Sequence, residues 1–232
     1  MKKEKIDGAK VTGAVDFIIS RKRKLYKFAR FNELRSCFQL GEWVDFIKTH
    51  SNFLDKQPVV AEIGAGTAVF LVEQAKLSPE KIFVAVDVKS DRLHQGARKA
   101  QEEKVTNIYF VRSRVEELVQ IFSSNSVFEI WLTFSDPYPR KSDAKHRLTY
   151  KKYLKLYQEI LNKDGRLHFK TDSDSLFEYS LASFRECGWQ ILTETEDLHS
   201  SDLPEKYKVM TSYEARFVGE GKNIHFLTAK PE

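Results

Sequence analysis

Residues 58–77 read PVVAEIGAGTAVFLVEQAKL, and how this stretch divides decides the fold. Pro58 opens a new element. Val59, Val60, Ala61, Glu62 and Ile63 make an apolar run with a single acid, the pattern of a strand buried on both faces. Gly64, Ala65, Gly66, Thr67 and Ala68 turn the chain, and a helix over 69–77 follows until Ser78 and Pro79 stop it. Working outward, the same alternation repeats. Strands are expected at 82–86, 108–112, 128–134, 166–170, 189–194 and 224–229, with helices over 90–104, 148–161 and 175–186. Ser113 and Glu116 have the spacing of a capping box, which opens a shorter helix ending near Phe122. Regular alternation of strand and helix predicts an α/β fold, a mostly parallel sheet of seven strands with helices on both faces.

Upstream of Pro58, Leu34, Phe38, Leu40, Trp43, Val44 and Ile47 recur at helical spacing and predict a short helix packed beside the sheet. Residues 1–57 therefore read as a basic N-terminal extension with one short helix, and 58–232 as the main domain. Within the extension, Arg21, Lys22, Arg23, Lys24, Lys27, Arg30 and Arg35 are interleaved with Tyr26, Phe28 and Phe31. That mixture suits neutralising phosphates and stacking on bases, and equally a solvated arm whose aromatics dock on the core. The net charge of +5 is modest, so the placement of charge matters more than its sum. Cys37 and Cys187 lack CxxC spacing, which argues against a disulfide framework or a cysteine-ligated zinc, and the six scattered histidines predict no metal site. No apolar run approaches the roughly 20 residues of a membrane span, and the Lys-rich start lacks the apolar segment of a signal peptide. The expectation is a cytoplasmic protein with no membrane and no evident protein partner.

Parallel α/β sheets bind ligands beyond the carboxyl ends of their strands, which here carry Gly64, Asp87, Arg112, Asp136 and Asp172. The glycine turn is not a dinucleotide fingerprint, since Val69 stands where G-x-G-x-x-G needs its third glycine, and no GK[ST] follows. An acid before the glycines, a G-x-G and the small Ala68 fit an adenosyl ligand without a pyrophosphate. Asp87, about twenty residues on, stands where a carboxylate accepts ribose hydroxyls. The strand expected at 128–134 runs into Ser135, Asp136, Pro137, Tyr138 and Pro139, a rigid loop in which the prolines hold Asp136 and Tyr138 in place. Arg140, Lys141, Lys145, His146 and Arg147 follow and offer charge to an anion. Trp131, Trp189 and His168 read as core packing, and Asp172 by itself reads as a cap for the next helix.

Three spaced motifs, EIGAGTA with Asp87, FSDPYPRK over 134–141, and Thr211-Ser212-Tyr213-Glu214, together resemble the tRNA (guanine-N7)-methyltransferase family of class I S-adenosylmethionine-dependent methyltransferases. That family typically reads FPDPWPK in the strand-four loop and T-x-[YF]-E near its C-terminus. The resemblance runs from about residue 58 to the end of the chain. It implies a Rossmann-like class I methyltransferase fold with an antiparallel last strand, S-adenosyl-L-methionine as methyl donor, and tRNA as partner. The implied reaction is methylation of N7 of a variable-loop guanosine, conventionally position 46 of tRNA. Residue by residue, it implies that Glu62, Gly64, Ala65, Gly66, Asp87, Arg114 and Asp136 stand at donor-binding positions, Asp136 also at the reaction centre. Arg140, Asp172, Thr211, Ser212, Tyr213 and Glu214 are implied to contact the substrate.

Some positions depart from the family pattern. Ser135 replaces a proline, Tyr138 a tryptophan, and Arg140 a lysine, the last keeping charge but changing contact geometry. Where the family places an Asp that recognises the adenine amino group, this chain has Arg114, which has no acceptor, so backbone groups or Glu116 are expected to read adenine. Two alternatives stay open. One is an amino-methyltransferase acting on an exocyclic base nitrogen, whose [DNS]PP[YF] loop Asp136-Pro137-Tyr138 partly matches; the other is a tRNA-binding relative without methyl transfer.

Overall fold

The computed structural model describes residues 29–50, 54, 57–210 and 212–232. Eight strands form one sheet: β1 (Cys37–Gln39), β2 (Val59–Ile63), β3 (Ile82–Asp87), β4 (Ile108–Arg112), β5 (Val127–Thr133), β6 (Leu161–Thr171), β7 (Trp189–Thr195) and β8 (His225–Pro231), in the order β1-β4-β3-β2-β5-β6-β8-β7. β1 through β6 pair in parallel, and β8 runs antiparallel to both β6 and β7. The fold is the Rossmann-like one expected, with the antiparallel last strand.

Helices α1 (Leu40–Thr49), α4 (Leu118–Ile121), α5 (Lys151–Ile160) and α6 (Asp174–Glu186) contribute to one core, and α2 (Val69–Leu77) and α3 (Ser90–Glu102) to the other. The division follows from strand alternation. Val59, Ala61 and Ile63 of β2 point into the first core with Val84 and Val86 of β3, while Val60, Phe83 and Ala85 point into the second. Two-sided burial explains why these strands read as continuous apolar runs. Chain order reverses on either side of β2, which pairs with β3 on one flank and β5 on the other, so the crevice for a ligand lies at its carboxyl end.

The eighth strand was not legible. Cys37, Phe38 and Gln39 pair with Phe110, Val111 and Arg112 at the sheet edge, and α1 starts only at Leu40. Three residues are too few to show a period of two. Phe38 packs its ring 5.4 Å from Trp43 and 5.1 Å from Phe46, so strand and helix residues enter one core and together imitate helical spacing. Trp131, Trp189 and His168 are core residues as read, His168 lying 4.4 Å from the Trp131 ring and hydrogen-bonded to Thr228 Oγ1 at 2.9 Å. Of the basic N-terminal cluster, Arg21, Lys22, Arg23, Lys24 and Lys27 lie outside the described residues.

Candidate active site

Glu62 is the penultimate residue of β2 and is 1% exposed. On a strand covered on both faces, its carboxylate has nowhere to go but inside. Thr133, at the end of β5, donates its hydroxyl hydrogen to Glu62 Oε1 at 2.6 Å, whereas Oε2 is buried without a hydrogen-bond partner. Burial pushes the Glu62 carboxyl up to about 8; the Thr133 hydrogen bond, Lys170 and the nearby Leu71 N–H oppose the rise, and Asp87 adds to it. A buried carboxylate oxygen without a donor is costly, and a cation brought to it removes the cost. Glu62 lines a chamber of about 60 Å³ with the glycine turn, Thr133, Phe134 and Arg92.

The turn itself is built around close approaches. Gly64 has φ +71°, so its backbone favours glycine; a Cβ there would stand 2.7 Å from Leu148 Cδ1, the movable end of a side chain. A Cβ on Gly96 of α3 would lie 2.2 Å from the Thr67 carbonyl oxygen, so α3 packs on the turn at a distance only glycine permits. Asp87, ending β3, accepts the Gly66 N–H through Oδ2 at 2.9 Å and the Lys89 N–H through Oδ1 at 2.7 Å. Burial raises its carboxyl, opposed by those two amides, Lys89 and Arg92. A carboxylate has about four lone-pair sites, so bracing the turn leaves Asp87 able to accept from a ligand.

A larger cleft of about 240 Å³ adjoins this chamber, sharing Gly64, Arg92 and Phe134 with it and running past Asp87 and Ser113 to Ser135, Asp136 and Tyr138. The loop after β5 bends sharply: Phe134 has φ 49° and Tyr138 φ 42°, left-handed values that cost a non-glycine residue about 1 kcal/mol each. Asp136 is exposed, and Ser135 Oγ is buried without a partner. Arg147 is 7% exposed and donates from Nε to the Pro137 carbonyl at 3.0 Å and from Nη2 to the Tyr138 carbonyl at 2.9 Å. Its guanidinium lies 4.2 Å from the centroid of the Tyr179 ring. The expectation that Arg147 offers charge to an anion is therefore corrected, because that charge faces inward onto the loop.

At the end of β4 the capping acid is Glu117, one residue beyond the expected Glu116. It accepts the Arg114 N–H at 2.9 Å and the Ser113 hydroxyl hydrogen at 2.7 Å through Oε2. Glu116 instead accepts from Lys152 Nζ at 3.1 Å and the Tyr153 hydroxyl at 3.0 Å, which turns it toward α5 and away from adenine reading. Of this turn, Ser113 and Val115 line the cleft.

Residues 56–227 match a family model described as "Putative methyltransferase". A tRNA (guanine-N(7)-)-methyltransferase from Bacillus cytotoxicus is 36% identical over 190 residues, 82% of this chain and 84% of the relative. Another, from Mycoplasmopsis pulmonis, is 40% identical over 166 residues, 72% of this chain and 81% of the relative. The chain belongs to the tRNA (guanine-N7)-methyltransferase family. Among solved structures, the 16S rRNA methyltransferase KamB superposes with a TM-score of 0.59 at 16% identity, over 78% of this chain and 91% of that one. A 16S rRNA (adenine(1408)-N(1))-methyltransferase from Catenulisporales acidiphilia, solved with cosubstrate SAM, gives 0.53 at 14%, over 80% and 90%. These two likenesses establish the shared fold.

The family motifs gather unevenly around the cleft. Gly64, Asp87 and Asp136 line the cleft, and Glu62, Gly64, Ala65 and Gly66 the chamber. Arg140 is exposed at the start of a 3-10 turn over Lys141–His146. Asp172 accepts from Lys222 Nζ at 3.2 Å, and the helix after β6 is capped by Ser173, whose Oγ accepts the Leu176 N–H at 3.3 Å. Thr211 lies outside the described residues, and Ser212 opens α7 (Ser212–Gly219). Glu214 is fully buried: Lys170 Nζ donates to its Oε1 and Oε2 at 3.0 and 3.3 Å, and His199 Nε2 lies 3.0 Å from Oε1. Arg92 and Lys170 carry no local signal in the sequence, and the place of Ser113 in the cleft and the inward turn of Arg147 show only in the fold.

Proposed function

We propose that this chain transfers a methyl group from S-adenosylmethionine to N7 of a guanosine in the variable loop of tRNA, position 46 by the family resemblance, and works in the cytoplasm. The observation that carries the reading is the pair of adjoining cavities, walled in common by Gly64, Arg92 and Phe134, with the unpartnered Glu62 oxygen in one and Asp87 and the exposed Asp136 in the other. The inner chamber, with a carboxylate from Glu62 and a guanidinium from Arg92, fits the ammonium and carboxylate of an amino-acid group. When bound, S-adenosylmethionine supplies a methyl group activated by a sulfonium.

Each side chain then has a task. Glu62 and Arg92 hold the amino-acid end, Asp87 accepts ribose hydroxyls, and Ser113 with the backbone of its turn faces the adenine. Guanine N7 already exposes a lone pair, so the protein needs no general base there. Alignment of base and methyl group in near-attack geometry supplies most of the rate. Asp136 orients the base and offsets the positive charge that grows on its ring, and Tyr138 offers a stacking face. Arg140, Lys141 and Lys145, all exposed, meet RNA phosphates, and Asp172 with 211–213 contacts the substrate. Glu214 serves the same surface indirectly, by seating α7 on Lys170.

Replacing Asp136 with Asn tests the assignment. Loss of one preorganised charge is expected to lower kcat about 100-fold or more while tRNA affinity stays within about threefold. Near-normal turnover by Asp136→Asn would remove Asp136 from the reaction centre.

A further inference from the structure

Arg147 is a buried cation that faces backbone carbonyls. Among the described residues no carboxylate lies within ion-pairing distance of it; its charge is met by the Pro137 and Tyr138 carbonyls and the Tyr179 ring. Taking a guanidinium out of water for two carbonyls and a ring face is an expensive way to fasten a loop. The fastened loop is the one that carries Asp136, and the fastening falls on the strained residue. Tyr138 sits at φ 42°, and its carbonyl is one of the two that Arg147 grips. The two bonds come from adjacent nitrogens of a planar fork onto successive carbonyls, so they fix the peptide's orientation as well as its position. The cation in turn is held from below by α6 through Tyr179.

We propose that Arg147 is a positioning residue for methyl transfer: by clamping Pro137 and Tyr138 it holds the Asp136 carboxylate and the Tyr138 ring in reacting geometry, and it does not contact RNA phosphates. The proposal rests on the role given to Asp136 above. It sets Arg147 apart from its neighbours Lys141 and Lys145, which share its basic run but are exposed.

The test compares wild type with Arg147→Met, Arg147→Lys, Tyr179→Leu and, as a phosphate-contact reference, Lys145→Met. For each, kcat, KM for unmodified tRNA, the salt dependence of tRNA binding and the thermal midpoint are measured. Arg147→Met is expected to lower kcat at least about 30-fold with tRNA affinity within about threefold and an unchanged salt slope, as when an interaction made only at the transition state is lost. Arg147→Lys keeps one donor for one carbonyl and should recover part of kcat; Tyr179→Leu, which keeps both hydrogen bonds, should lose less than Arg147→Met. Lys145→Met should instead flatten the salt slope by about one. Unchanged kcat with a flatter salt slope in Arg147→Met would make it a phosphate contact and overturn the proposal. So would equal loss of kcat and tRNA affinity in step with unfolding, with no recovery in Arg147→Lys or Tyr179→Leu. A wild-type chain that transfers no methyl group overturns the functional reading and this proposal together; active wild type with equally active variants overturns the proposal alone.

Discussion

Glu62 shows how much one side chain decides at the residue scale. Its Oε2 is buried and unpartnered, and burial pushes the carboxyl up to about 8, so the unliganded site is mostly protonated near neutrality. The groups facing it are Thr133 from β5, Asp87 from β3, Lys170 from β6 and the Leu71 N–H from α2. A bound ammonium needs the carboxylate, and binding therefore releases a proton whenever the pH lies below the unliganded value. The sign follows: donor affinity rises with pH, by up to roughly tenfold per unit, and levels off above the Glu62 value of about 8. Calorimetry in buffers of different ionisation enthalpy reads the released proton directly, and Glu62→Gln should abolish both the release and the slope. Donor affinity that stays flat in wild type across that range would show that no cation meets Glu62.

At the scale of elements, α7 and the segment before it are pinned to the sheet by Lys170. Lys170 and Glu214 are both fully buried, with Val209 contributing a carbonyl at 3.0 Å. Burial lowers the Lys170 ammonium and Glu214 pulls it back up. Lys170→Met takes the ammonium from a buried carboxylate that still has His199 Nε2 beside Oε1, so it should cost up to about 3–5 kcal/mol in denaturant unfolding, and adding Glu214→Leu should restore much of it. A single variant as stable as wild type would mean the pair does not hold α7. This pairing was out of reach of the sequence, since the partners are 44 residues apart and Glu214 belongs to a motif that reads as substrate contact. Local signals fared better. The glycine turn, Asp87 and Asp136 were legible because strand ends and turn chemistry are written within a few residues. The cap after β4 was misplaced by one position because Glu116 and Glu117 both offer a carboxylate, and only the fold says which turns inward. Arg147 looked like its exposed neighbours for the same reason: a basic run does not say which of its members is buried.

Across the whole molecule, the sheet brings a cleft lined by charges of both signs, two acids against Lys89 and Arg92, and a cationic rim to the same edge. Asp87 and Asp136 line the cleft, and Arg140, Lys141 and Lys145 stand exposed beside it. The overall +5 is too small to explain nucleic-acid binding by itself, so affinity for tRNA should come from this local rim and fall steeply with salt, by about 0.7–0.9 log units per phosphate for each log unit of salt. The sheet was foreseeable because alternating apolar runs and turns repeat along the chain, apart from β1, which only the open edge of β4 selects. In the proposed function, cleft and rim serve one reaction, donor to guanine N7. The direct measurement incubates the protein with labelled S-adenosylmethionine and unmodified tRNA, digests the RNA and identifies the labelled nucleoside by mass spectrometry. The expected product is 7-methylguanosine from the variable loop; label on an exocyclic nitrogen of adenosine or cytidine, or tRNA bound without label, would overturn the proposed reaction.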